Sequence, residues 1–181
     1  MMIDPVISGI ARGVVAVLLL AAAVYKLRDT AGFRRSIRDY ALVNEALVRP
    51  LAWVIPLAEV AAAAAVVFEP TRVAGATLAA VLFAVFTLAI GVNLARGRRD
   101  IDCGCFGPSQ GQQLSGWLLP RNVVLVALAG VAALPPTGRA LGGLDYFTLA
   151  AGVVAFVLVF IVSNVVIGLA PQAAALRRKH D

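Results

Sequence analysis

Residues 6–27 read VISGIARGVVAVLLLAAAVYKL. A helix needs about 20 predominantly apolar residues to cross the hydrocarbon core of a bilayer, and this run supplies them. Four further stretches repeat the pattern, at 51–68, 73–95, 117–134 and 146–170. Together the five commit roughly 100 residues to lipid at that length per span. No remaining segment is long enough for a separate soluble domain. The sequence therefore predicts an all-α fold: a polytopic membrane helix bundle of five transmembrane helices, forming a single membrane domain over 1–181.

Composition agrees. Of the 181 residues 61% are hydrophobic and 14% charged, and adding the 16 glycines brings the apolar share to roughly 70%. Soluble domains sit near 45–50% on that count, with about 25% charged. This excludes an ordinary water-soluble enzyme, and equally a disordered chain, which needs low hydrophobicity. The net charge of +6 does not point to nucleic acid, because the basic residues fall between apolar spans and no aromatic-rich basic groove accompanies them.

The connectors set an orientation. Residues 26–49 hold Lys26, Arg28, Arg34, Arg35, Arg38 and Arg49; residues 96–117 hold Arg96, Arg98 and Arg99; the C-terminus holds Arg177, Arg178 and Lys179. With five spans these twelve basic residues share one side, against Arg72 and Arg139 on the other. The positive-inside rule then predicts the N-terminus outside and the C-terminus inside, with the 96–116 loop at the cytoplasmic face of a bacterial plasma membrane. The tail before the first span carries Asp4 and no basic residue ahead of Arg12, which is the wrong n-region for a cleaved signal peptide. Within the first connector Phe33, Ile37, Tyr40 and Ala41 recur at helical spacing with arginines between them, the pattern of a short amphipathic surface helix over about 29–45.

The chain has two cysteines, Cys103 and Cys105, in the run Asp102-Cys103-Gly104-Cys105-Phe106-Gly107-Pro108. Cα atoms two residues apart lie about 5.5–7 Å from each other, and a disulfide needs roughly 4.4–6.8 Å. Gly104 permits the tight turn that brings them within range. Such a bridge is strained and closes a very short loop, so it suits redox exchange better than stabilisation. Arg96, Arg98, Arg99 and Arg121 favour the thiolate, while Asp100 and Asp102 oppose it. Two other readings stand beside the dithiol. Two thiolates are half of a tetrahedral metal site, but the single histidine, His180, is at the far end of the chain. The cysteines could also merely pack.

Glu59 lies inside the second span, three residues after Pro56. An intramembrane carboxylate is a functional candidate by default. Its open roles are a neutral buried acid, a hydrogen-bond partner for Asn93 or Asn122, a proton carrier beside the thiols, or helix-to-helix glue. Asn164 and Ser163 read as glue. Arg121 and Asn122, at the mouth of the fourth span, read as a cap over the cysteine loop or an anionic headgroup site. A hydrolase triad and a phosphate loop both lack parts.

The order of these elements resembles the methylamine-utilisation MauE family, grouped with DoxX-like redox-associated membrane proteins. The likeness runs from about Tyr25 to Leu128. It includes Lys26-Leu27-Arg28-Asp29, Phe33 with Tyr40, Pro56-Leu57-Ala58-Glu59, Asn93-Leu94-Ala95-Arg96-Gly97-Arg98, Asp102-Cys103-Gly104-Cys105-Phe106-Gly107 and Arg121-Asn122. The resemblance implies thiol–disulfide traffic at the bacterial plasma membrane beside a thioredoxin-like partner, with Cys103 and Cys105 as the redox residues. It also implies a link to maturation of a disulfide-rich periplasmic dehydrogenase. That substrate lies outside, whereas the charge bias puts the thiols inside. A loop reached from both faces, electron transfer to a membrane quinone, or the opposite topology would each reconcile the two. The alternatives from other classes are a non-catalytic assembly or scaffold subunit, and a small-molecule or lipid-binding protein built around Glu59 and Asn122.

Overall fold

The computed structural model describes residues 2–98, 101 and 114–177, the stretch from 167 onward as backbone. Among the described residues six α-helices follow one another: α1 (Pro5–Arg28), α2 (Thr30–Tyr40), α3 (Glu45–Val67), α4 (Arg72–Ala95), α5 (Leu118–Ala133) and α6 (Gly143–Arg177), with a 3-10 turn at Glu69–Thr71. Among the described residues the one extended pairing is an isolated bridge between Ile3 and Pro136.

Among the described residues four segments are long and apolar enough to cross a membrane: Pro5–Arg28, Glu45–Val67, Glu69–Ala95 and Gly143–Val166. The fifth expected span is shorter, a 16-residue apolar helix. At 1.5 Å per residue α5 rises about 24 Å, less than the ~30 Å hydrocarbon core. Its C-terminal limit is local chemistry. Leu134 precedes Pro135, which drives it into the extended conformation in which it is found. Pro120 near the start is harmless, since the first-turn N–H groups have no helical acceptor anyway. The amphipathic helix is shorter than expected, ending where Ala41 turns left-handed at φ 48°. Helix α3 starts earlier, capped by the Asn44 side chain, and takes both Pro50 and Pro56 into its interior.

Helix α1 is the hub, packing against α3, α5 and α6, whereas α6 rests chiefly on α1. Lipid removes the hydrophobic drive between helices, so close approach of small residues has to supply the packing. The core shows this: Ala62, Ala63, Ala76, Ala79, Ala129 and Ala132 are all fully or almost fully buried between α3, α4 and α5. At Gly75 a Cβ atom would stand 2.2 Å from the Val66 backbone nitrogen, so only glycine allows the α3–α4 crossing.

Both ends of the bundle are tied by polar links. At the N-terminal end Arg12 donates to the Val66 carbonyl (2.9 Å) and pairs with Glu69 (2.7 Å). Arg72 donates to the carbonyls of Ala132, Ala133 and Leu134, capping the C-terminus of α5. Arg139 links Asp145 and Asp4; their hydrogen bonds, Asp145's first, raise the guanidinium above its ordinary range. At the opposite end the backbone N–H of Leu114 donates to the Ile101 carbonyl (3.1 Å). Ile101 and Leu114 are buried there with Ile90 and Leu118, against Tyr40 of α2.

Candidate functional site

Helices α1, α3 and α4 are apolar around most of their circumference, so the few polar side chains they bury stand out. Glu59 is wholly buried in α3, and Lys26, in the last turn of α1, is 3% exposed. The Lys26 ammonium donates to Glu59 Oε1 at 2.5 Å. The same ammonium lies 5.1 Å from the centre of the Phe86 ring and 5.5 Å from that of Phe33, within cation–π range. Phe33 reaches this position because α2 folds its apolar side, with Gly32 and Ser36, under the bundle and leaves Arg35 and Arg38 exposed. Asp29 anchors that turn by accepting from the Gly32 N–H at 2.7 Å.

Arg121 enters from the first turn of α5. It is 91% buried, as its 9% exposure states. Its Nη1 donates to Asn164 Oδ1 of α6 (2.5 Å), its Nη2 to Asn122 Oδ1 (3.3 Å), and its guanidinium lies 5.4 Å from the centre of the Phe160 ring. Lys26, Glu59, Arg121 and Asn122 all line one cavity of about 30 Å³, walled by Phe83, Phe86 and Phe160 together with leucines of α1 and α5. A cavity of that size holds about two waters. Three helices, α1, α3 and α5, thus bring an ammonium, a carboxylate, a guanidinium and an amide to the edge of a small space with largely apolar walls. Such a set can hold a small polar guest or pass a proton to water.

The sequence-predicted residues divide accordingly. Glu59, Arg121 and Asn122 share the cavity. Arg121 turns into the bundle toward Asn164 rather than outward to a lipid headgroup, and Asn164 does bind one helix to another. Asn93 is buried apart from the cavity lining, donating to the Ala89 carbonyl (3.1 Å) and accepting from Arg98 (3.3 Å). Lys26 is the residue that sequence reasoning misplaced. The charge pattern places it among the connector cations, but it lies inside the bundle as the partner of Glu59. The available signal was Glu59 itself, because a carboxylate in lipid needs a cation within reach. Cys103 and Cys105, with Asp102 and Gly104, lie outside the described residues, as does His180. Among the described residues no three His, Cys, Asp or Glu side chains gather as a metal site.

Long apolar helices enclosing a buried ionic cluster define a multi-pass helical membrane protein. The profile of the family described as "Methylamine utilisation protein MauE" matches residues 4–135. The chain belongs to this MauE family. It is 40% identical over 159 residues to the methylamine utilization protein MauE of Paracoccus versutus, covering 87% of this chain and 86% of that one. The Methylorubrum extorquens protein of the same name is 38% identical over 143 residues, covering 78% and 77%. That of Methylophilus methylotrophus is 33% identical over 167 residues, covering 91% and 88%. No solved structure matches the chain.

Proposed function

We propose that the protein is a membrane thiol–disulfide redox protein in which Cys103 and Cys105 form the exchanging pair. It supports disulfide formation or maturation, or electron transfer, beside a thioredoxin-like partner, as expected of a DoxX-like relative. The process it serves is methylamine utilisation, after which its relatives are named. Its place is the bacterial plasma membrane, with the N-terminus outside.

One observation carries the reading. Ile101 and Leu114, which flank the cysteine segment in sequence, are buried and joined by a backbone hydrogen bond, packed on Ile90, Leu118 and Tyr40. Cys103 follows that anchor by two residues and Cys105 by four. A dithiol tethered this closely to a fixed base can meet a docked partner repeatedly in one register. The exchange balances with the partner alone. The Cys103 and Cys105 thiols give two electrons and two protons to a partner disulfide, forming their own disulfide and a partner dithiol, or the reverse. A membrane quinone is the other acceptor class, and it takes the same two electrons and two protons. Glu59, with Lys26 as its partner, then serves proton movement.

The test is covalent trapping. Cys103→Ser and Cys105→Ser each leave one thiol that cannot resolve a mixed disulfide. One of the two should accumulate a reducible adduct on a non-reducing gel, absent from the double variant, at unchanged expression. If neither variant forms an adduct and both support full function in the host, the proposal fails.

A further inference from the structure

Lys26, Glu59 and Arg121 line one cavity, and with the Glu59 carboxylate included their formal charges sum to +1. Lys26 and Glu59 pair with each other at 2.5 Å. Arg121 has neutral hydrogen-bond partners among the described residues: the amide oxygens of Asn122 and Asn164, with the Phe160 ring beside it. Its Nε–H is buried and has no hydrogen-bond partner. A guanidinium cannot discharge itself by losing a proton. A fixed positive charge inside a membrane bundle is costly, and a buried donor left unsatisfied adds to that cost. The site therefore favours a negative guest.

The space decides which guest. The cavity holds about 30 Å³, enough for about two waters or one ion of similar size. That is too small for a phosphate-bearing headgroup or an aromatic ring system. Its walls are mainly aromatic and aliphatic, so an anion there would feel Arg121 and Lys26 at a lower effective dielectric than in water.

We propose that the cavity among Lys26, Glu59, Arg121 and Asn122 binds one small monovalent inorganic anion of halide size, held chiefly by Arg121. The site requires neither thiol nor redox partner, so it stands or falls separately from the redox reading.

The probe is chloride. The full-length protein in detergent is melted at fixed pH, sodium concentration and ionic strength while chloride replaces gluconate. A saturable rise in Tm is expected, about 5 °C or more at a hundredfold excess over Kd. Bromide should substitute for chloride, and sulfate should not. Arg121→Gln should abolish the dependence. Should that variant fail to fold, Ala22→Val keeps Arg121 and fills the cavity that Ala22 lines, and it should abolish the dependence too. A flat chloride response in the unaltered protein would mean that the cavity holds water only, and would overturn the proposal. A response that survives in Ala22→Val would place the anion elsewhere and overturn it as well.

Discussion

Lys26 and Glu59, 33 residues apart in sequence, meet at 2.5 Å in the interior of the bundle, with both side chains almost wholly removed from solvent. Helices α1 and α3 are joined through that contact. Burying two charges costs several kcal/mol each, and breaking such a pair leaves one charge uncompensated.

The pair therefore predicts an asymmetric mutational response. Lys26→Leu alone strands the carboxylate and Glu59→Leu alone strands the ammonium. Each should destabilise by about 3–5 kcal/mol. The double variant Lys26→Leu/Glu59→Leu should fall between neutral and stabilising by up to about 4 kcal/mol. Thermal melting of the three purified proteins in detergent checks this. A double variant no more stable than either single one would contradict it.

Arg72 predicts a second effect at the other end. Its guanidinium serves the last carbonyls of α5, a helix too short to hold itself across the bilayer core by length. Arg72→Ala should cost about 1.5–3 kcal/mol for a lost charged hydrogen-bonding group. The loss should localise to the α4–α5 contact. Hydrogen exchange of the 128–134 backbone should accelerate in the variant, whereas exchange in 14–19 should not change.

Gly75 predicts a third. A methyl group there meets the Val66 nitrogen and the Ala65 carbonyl carbon, both backbone, and neither can rotate away. Gly75→Ala should cost at least the 1–3 kcal/mol typical of overpacking. Gly130 has no atom within 4 Å of an added Cβ, so Gly130→Ala should be neutral or mildly stabilising. Melting the two variants side by side makes the comparison.

These effects show which parts of the molecule the sequence could disclose. Long apolar runs set the helices because a bilayer demands a fixed length, and Phe33 disclosed the packed side of α2 because arginines flank it. The burial of Lys26 was hidden. A helix apolar on most sides gives no periodic sign of which face looks inward, so a terminal lysine reads as interfacial. Arg72 was hidden for the same reason and counted only as a surface charge, although its task is to satisfy the end of α5. The shortness of α5 was legible only in part. Trp117 and Leu134 are apolar enough to extend the span, and it is Pro135 that removes Leu134 from the helix. The cavity is a property of five helices together, and spacing along one chain cannot state it.

The proposed orientation carries its own prediction. In a cysteine-free background, Ala140→Cys lies exposed in the α5–α6 connector and Asp39→Cys lies exposed on α2, at opposite ends of the bundle. A membrane-impermeant maleimide applied to intact spheroplasts should label Ala140→Cys and spare Asp39→Cys until the membrane is opened. The reverse pattern would invert the topology and place the cysteine loop outside.

The central claim is that Cys103 and Cys105 are a working redox pair, and a redox titration tests it most directly. The purified protein is equilibrated across a range of thiol–disulfide buffers, and free thiols are counted by alkylation and mass. The account predicts a single reversible two-electron transition, with both thiols lost together into an intramolecular disulfide, at a potential above about −300 mV, where exchangeable disulfides lie. Two thiols that remain reduced at every poise would contradict it and leave the loop a binding or packing element.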